Sequence, residues 1–336
     1  MTCVAIAVYS RRMKAFLPSP ILIETDELKP SSSPVSSVLS QAINTHNTQS
    51  GWRASLRLGF SRDGQTTRLT QRSHNGPLRV QKALYPEGEA VCHVLVLHPP
   101  GGVVGGDALA IDIDVGAASH ALISNPGAAK WYKANAKISR QSLRFKVADH
   151  ACLEWMPQES IFYDQAQVIL EQEIDLAPNA TCILCDIQCF GRTASGEQFE
   201  QGRIRQRVQV KRDGQLLWFE QGAIAAQNAS TSTSTNTVTS SSMQSPFGLR
   251  GHSVNASLLG VGQSVSAAVI KTLREATQGI LQANEEFGVT QMKQVVSVRY
   301  LGDSSERARQ LMLLAWQILR PAIAGREAID LRIWRT

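Results

Sequence analysis

Residues 98–107 read "HPPGGVVGGD", which sets an imidazole (His98) and a carboxylate (Asp107) at the ends of a stretch carrying Gly101, Gly102, Gly105 and Gly106. Three readings compete for such a loop: a phosphate cradle, a metal site, and a turn with no chemistry of its own. The dinucleotide fingerprint needs glycines at its first, third and sixth positions, but the third position is Val103 when the count starts at Gly101 and Val104 when it starts at Gly102. The P-loop spacing comes closer, since Gly101 and Gly106 bracket four residues. However, Asp107 stands where the phosphate-binding lysine belongs and would repel the ligand. The segment that follows, "ALAIDIDV", alternates like a strand, so no helix N-terminus is offered to an anion. A turn accounts for the glycines and prolines and leaves His98 and Asp107 unexplained.

The other reactive residue types are scattered. Cys182, Cys185 and Cys189 resemble a thiolate cluster, but on a strand 182 and 185 face opposite ways, and 185 and 189 lie about 13 Å apart at about 3.3 Å per residue. They cannot share one zinc and read as buried apolar cysteines. No histidine pair has metal spacing, and H-E-x-x-H, G-x-S-x-G and a Cys/His dyad are all missing from the sequence, which argues against an enzyme. "NPGAAKWYKA" offers Lys130, Trp131 and Tyr132 after a Pro-Gly turn, a pattern that suits a protein-binding surface as well as a ligand site. Further along come Glu159 and Asp164 in "WMPQESIFYD", then Asp186, Arg192 and Glu197 in "DIQCFGRTASGEQF". Each alone is a turn or surface residue. Together, Asp107, Glu159, Asp164, Asp186 and Glu197 are placed by this reading on loops between strands, where they could line one groove or passage with oxygen ligands.

The elements that must position these residues are mostly strands. Segments such as "WRASLRLGF", "CHVLVL", "SLRFKV", "TCILCDI" and "GRIRQRVQV" alternate or run apolar between Gly, Pro, Asn and Asp. A weak repeat of strand, short turn and strand recurs in "IDIDVGAASHALIS", "LRFKVADHACLEW" and "EQEIDLAPNATCIL". Its anchors Val115, Val147 and Leu176 are 32 and 29 positions apart. The spacing predicts a mainly β fold, a β-solenoid-like stack in which each layer covers the next, with consecutive hairpins of a sandwich as the alternative. Two helices are expected near the C-terminus, forming a small α/β layer: Ser264–Glu285, and one starting after Asp303 as cap and closed by Pro321 and Gly325.

Composition bounds the rest. The 336 residues are 43% hydrophobic and carry a net charge of +6, but only 18% are charged and the basic residues are spread thinly, which argues against nucleic-acid binding. No apolar run reaches the roughly 18 residues of a membrane span. Arginines follow rather than precede the apolar run Cys3–Tyr9, the wrong order for a secretory signal, so a cytoplasmic protein with reduced thiols is expected. Residues 1–50 are rich in Ser, Pro and Asn and read as a disordered extension to a domain over 51–336. The Ser/Thr tract at about 227–245 reads as a mobile loop.

Five ordered blocks, "YPEGEAVCHVLVLHPPGGVVGGD", "ISNPGAAKWYKA", "LEWMPQESIFYD", "CFGRTASGEQF" and the closing "VRYLGD…WQILRP…RIW", resemble the UreD (UreH) family of urease accessory proteins. The resemblance covers about residues 51–336 and implies a mainly β, helix-like stack without catalysis. It implies a scaffold in a dimeric, hetero-oligomeric, GTP-dependent chaperone complex that binds the urease apoprotein and a UreF-like partner, which recruits a UreG-like GTPase. It also implies that no cofactor is bound stably and that Ni²⁺ passes transiently along an internal tunnel. Asp107 and Glu197, with Asp164 as a further match, are similar to acidic residues on that path. Carboxylates suit a relay, because several thiolates or imidazoles would trap the ion. Two other readings are a solenoid hydrolase using paired carboxylates such as Asp107 and Glu197, and a protein-binding scaffold that never contacts nickel.

Overall fold

The chain is described here from a computed structural model that covers residues 51–226 and 241–335; the expectations for residues 1–50 and for most of the Ser/Thr tract lie outside the described residues. A hairpin of Arg53–Asp63 (β1) and Thr66–Asn75 (β2) leads through Arg79–Val80 (β3) to Cys92–Leu97 (β4). The chain then winds through successive layers. The first is Ala108–Val115 (β5), His120–Ser124 (β6) and Ala129–Trp131 (β7). The second is Ser139–Val147 (β8), Cys152–Trp155 (β9) and Ser160–Phe162 (β10), and the third is Gln167–Leu176 (β11) and Thr181–Phe190 (β12). A long hairpin, Gly202–Arg212 (β13) and Gln215–Ala226 (β14), precedes Val254–Val261 (β15), helix α1 (Ala267–Gln278), Glu286–Met292 (β16), Val295–Gly302 (β17) and helix α2 (Ser305–Ala324).

The layers form a β-solenoid. In the first sheet β1, β5, β8, β11 and β13 run parallel, and in the second β4, β6, β9 and β12 do the same. Val115 pairs with Val147 and Val147 with Leu176, so the three anchors of the sequence repeat stand directly on one another. The turns between the sheets repeat as well: Ser119, Ala151 and Ala180 each donate a backbone N–H to the residue three before, at 3.1 Å in every layer. Period-two alternation turns Leu109, Ile111, Ile113 and Val115 inward and Asp112 and Asp114 outward.

The outer face of the first sheet carries one sign of charge per strand. Basic Arg144 and Lys146 on β8 lie between acidic Asp112 and Asp114 on β5 and acidic Glu173 and Asp175 on β11, with Arg203, Arg205 and Arg207 beyond on β13. Parallel in-register stacking sets equivalent positions side by side, and alternating the sign avoids like charges on adjacent strands.

The helical layer covers the outer face of the second sheet. Trp316, Leu319, Leu311 and Met312 of α2 pack with Leu122, Ile183, Cys185 and Ile187 in a second hydrophobic cluster. Both helices differ from the sequence expectation at their ends. Helix α1 is shorter than expected, and Ser266 caps it by accepting from Val269 N. Helix α2 is capped by Ser304 rather than Asp303, whose carboxylate instead accepts from Ser253 N and contacts His252 at 2.9 Å. Pro321 lies inside the last turn, where it forfeits only one intrahelical bond, and Gly325 at φ +66° ends the helix. Among the described residues no helix is long and apolar enough to cross a membrane.

Candidate functional site

The two sheets enclose a cavity of about 590 Å³. Its walls combine apolar side chains such as Leu109, Leu143 and Trp155 with a polar group made by Gln172 on β11, Asp186 on β12 and Gln206 on β13. It reaches the surface between the loops at 98–102 and 125–128, where Pro99, Gly101, Pro126 and Gly127 are exposed. A second void of about 30 Å³, lined in part by Trp218, Glu220 and Arg299, shares Gln172, Asp186 and Gln206 with the first. Asp186 therefore lies on the wall that the two interior spaces share.

Strand β12 explains why a carboxylate is here. It pairs on both sides, with β9 and with β15, and its two faces are both inside the protein. Ile183, Cys185, Ile187 and Cys189 face the helices; Leu184, Asp186 and Gln188 face the cavity side. Asp186 Oδ2 accepts from Gln188 Nε2 at 2.8 Å and Gln206 Nε2 at 3.0 Å, and Gln188 Nε2 also reaches Gln206 Oε1 at 2.7 Å. Burial pushes the Asp186 carboxyl up to about 6; the two amides oppose that shift, nearby Glu220 adds to it, and Arg299 works against it. In the lining of the second void Arg299 binds both oxygens of Glu220, a compensated pair. At the other end, burial lowers the pKa of His98 against the attraction of Asp107, so the mouth offers a neutral imidazole nitrogen. One carboxylate in a polar patch of the cavity wall, with an imidazole at the entrance, can hold a hydrated divalent cation briefly and without a closed cage.

The acidic residues singled out from sequence are placed otherwise. Asp107 is 5% exposed; its Oδ1 accepts from Trp52 N at 2.8 Å and its Oδ2 from Val104 N at 3.0 Å, which ties the glycine loop to the start of β1. Asp164 Oδ1 accepts from Glu200 N and Gln201 N at 2.9 and 2.7 Å. Glu197 Oε1 accepts from Asp164 N at 2.9 Å, and its Oε2 pairs with Arg192. None of these three lines the cavity. Glu159 is bound to Arg309 of α2 at 2.8 and 2.9 Å. Asp186, expected on a loop, lies in mid-strand and is the only one of the five acidic residues on the cavity wall.

The neighbouring loop residues build the solenoid corner. Gly102 and Gly105 permit close approach, since a Cβ there would lie 2.2 Å from the Tyr132 ring and 1.9 Å from Ala134 O. Gly101 and Gly106 take positive φ in the same loop. Trp131, expected at a loop surface, is 1% exposed in β7, at the head of a stack that runs through Phe162 to Phe190. Lys130 lines the cavity beside it. Tyr132 meets Tyr163 edge-on at 4.8 Å, and Arg192 lies over the Tyr163 ring at 4.6 Å.

Sequence reasoning missed Gln172, Gln188, Gln206, Glu220 and Arg299. A signal existed for the residues on β12: "CILCDIQCF" is apolar on both alternating faces, so its Asp and Gln had to be buried polar groups. The partners on β11, β13 and β17 gave no such sign. The five described cysteines are free and buried, as the apolar reading of Cys182, Cys185 and Cys189 requires.

Comparison with known proteins adds a family. The family described as UreD urease accessory protein matches residues 53–335. A urease accessory protein UreD from Janthinobacterium sp. (strain Marseille) is 49% identical over 298 residues, covering 87% of this chain and 96% of that protein. Proteins of the same description from Nitrosospira multiformis and Azoarcus sp. (strain BH72) are each 42% identical, over 84% and 87% of this chain and 98% and 96% of their own lengths.

Proposed function

Since the chain belongs to the UreD family of urease accessory proteins, we propose that it acts in nickel delivery, as a non-enzymatic scaffold whose interior cavity conducts Ni²⁺ towards the urease apoprotein. The observation that carries this reading is the placement of Asp186 on the wall shared by two adjoining interior spaces, hydrogen-bonded by the amides of Gln188 and Gln206. A divalent ion entering past His98 meets a largely apolar wall and then one carboxylate. Such a site slows the ion without trapping it. In this reading the partners are a UreF-like protein and a UreG-like GTPase, and the ion is handed between them by GTP-dependent steps outside this chain. Asp107, Asp164 and Glu197 hold loops outside the cavity lining, and any contact they make with the ion is transient. The paired-carboxylate hydrolase has less support, because Asp107 and Glu197 are each committed to backbone N–H groups that hold their loops in place.

The test is reconstitution of apo-urease with the UreF-like and UreG-like partners, GTP, bicarbonate and Ni²⁺, with and without this chain, and with Asp186→Ala. Urease activity should require the chain and fall at least ten-fold with the variant while the complex still assembles. Equal activity with and without the chain removes the reading; full activity of Asp186→Ala leaves the scaffold and removes the conduit.

A further inference from the structure

On the face of the second sheet opposite the cavity, a separate group of side chains has ligand chemistry of its own. His120 on β6 pairs in register with Cys152 on β9, and Glu154 lies two residues further along β9 on the same face. Trp155, between layers, points the other way and lines the cavity. The donor atoms of His120, Cys152 and Glu154 all lie within 4.8 Å of one another. Imidazole nitrogen, thiolate sulfur and carboxylate oxygen are the three donor types that zinc and its neighbours accept together, whereas Mg²⁺ and Ca²⁺ select oxygen alone.

The surroundings are those of an oriented site. Glu154 is 0% exposed and is fixed by Trp316 Nε1 at 2.5 Å and by Arg320 Nη2 at 2.9 Å, both from α2. Its Oε1 also lies 2.6 Å from His120 Nε2. Arg320 reaches on to Glu87, so two carboxylates share one guanidinium; burial works to lower the pKa of His120, but Cys152 and Glu154 raise it to about 10, so the metal-free cluster holds an imidazolium as its second cation. A dication that displaces the protons of His120 and Cys152 exchanges two positive charges for two and leaves the charge of the cluster unchanged. The guanidinium repels a cation, so the ion is seated on the His120 and Cys152 side, where both residues retain 6% exposure.

We propose that His120, Cys152 and Glu154 bind one divalent transition ion of the Zn²⁺ or Ni²⁺ type, which ties β6 to β9 beneath α2. Binding expels two protons to solvent: that of the Cys152 thiol, because the thiolate is the ligand, and the one His120 Nε2 shares with Glu154, because the ion takes the lone pair of that nitrogen. The site does not depend on the conduit, from which the sheet itself divides it.

The experiment uses the purified full chain titrated with Co²⁺ alone. One equivalent should produce a thiolate-to-cobalt charge-transfer band, which Cys152→Ser abolishes and Cys185→Ser, a buried cysteine outside the cluster, retains. A wild-type protein without that band, or a band that survives Cys152→Ser, overturns the proposal. Should Cys152→Ser fail to fold, alkylation of the wild-type protein decides: Zn²⁺ should slow modification of Cys152 at least ten-fold and leave Cys92 and Cys189 unchanged, and equal rates at Cys152 overturn the site. Either failure leaves the Asp186 experiment unaffected.

Discussion

At the residue scale, the choice of carboxylate is a matter of what surrounds it. Asp107, Asp164 and Glu197 spend their oxygens on backbone N–H groups that the loops would otherwise leave unsatisfied, which makes them structural whatever else they do. Asp186 has amide partners on one oxygen and an apolar cavity around it, so its ionised form is disfavoured. Its folded pKa, about 6, is above the ordinary 3.8. The native state therefore binds the proton more tightly than the unfolded chain, and stability falls as pH rises from about 4 to about 6. Asp186→Asn should flatten the profile of Tm against pH in that window. Above it, the variant should be more stable than the wild type, by on the order of 1–3 kcal/mol. A variant less stable than the wild type at pH 7.5 would show that the carboxylate is compensated. This residue was visible in the sequence as an acid, but its place was not: the alternation on β12 is apolar in both phases, and only its pairing on both sides says that neither phase faces water.

At the element scale, two ion-pair systems look alike on paper and should behave differently. Arg144 on the outer face of the first sheet pairs with Asp112 at 2.6 Å in the open, with the arginine side chain 56% exposed. Arg144→Ala should cost less than about 1 kcal/mol in urea denaturation, since exposed pairs gain little over water. Arg320 is fully buried and joins α2 to Glu154 on β9 and to Glu87. Arg320→Met leaves two buried carboxylates without their cation and should cost about 3–5 kcal/mol by the same measurement. Comparable costs for the two would mean that water reaches beneath α2. The helices themselves were legible from their apolar spacing, while the lock between α2 and the solenoid was not, because its members lie far apart in the chain.

At the scale of the whole molecule, the solenoid decides what can be cut. Ser242 N donates to Ala225 O at 3.0 Å, so the two ends of the segment over 227–240 are already adjacent at the end of β14. Replacing that segment by Asn-Gly should leave Tm unchanged or raise it, because closing a shorter loop costs less entropy. A fall of more than about 5 °C, measured calorimetrically, would show that the segment packs on the domain. The repeat of 32 and 29 residues gave the stacking direction in advance. The cavity between the sheets followed from no local pattern, since its lining is gathered from residues between Leu78 and Val208 that lie far apart in the chain.

The sequence by itself determined the class of fold, the layer repeat, the burial of the cysteines and the motif blocks of the family, because each of these is written in neighbouring residues or in a regular period. The tertiary structure alone decided which acid lies inside, because orientation towards a cavity depends on what pairs with a strand on each side. It also brought His120, Cys152 and Glu154 under α2, from strands a full solenoid layer apart in the chain. Local spacing specifies elements; chemistry between them is set by register, and register is fixed only when the layers close.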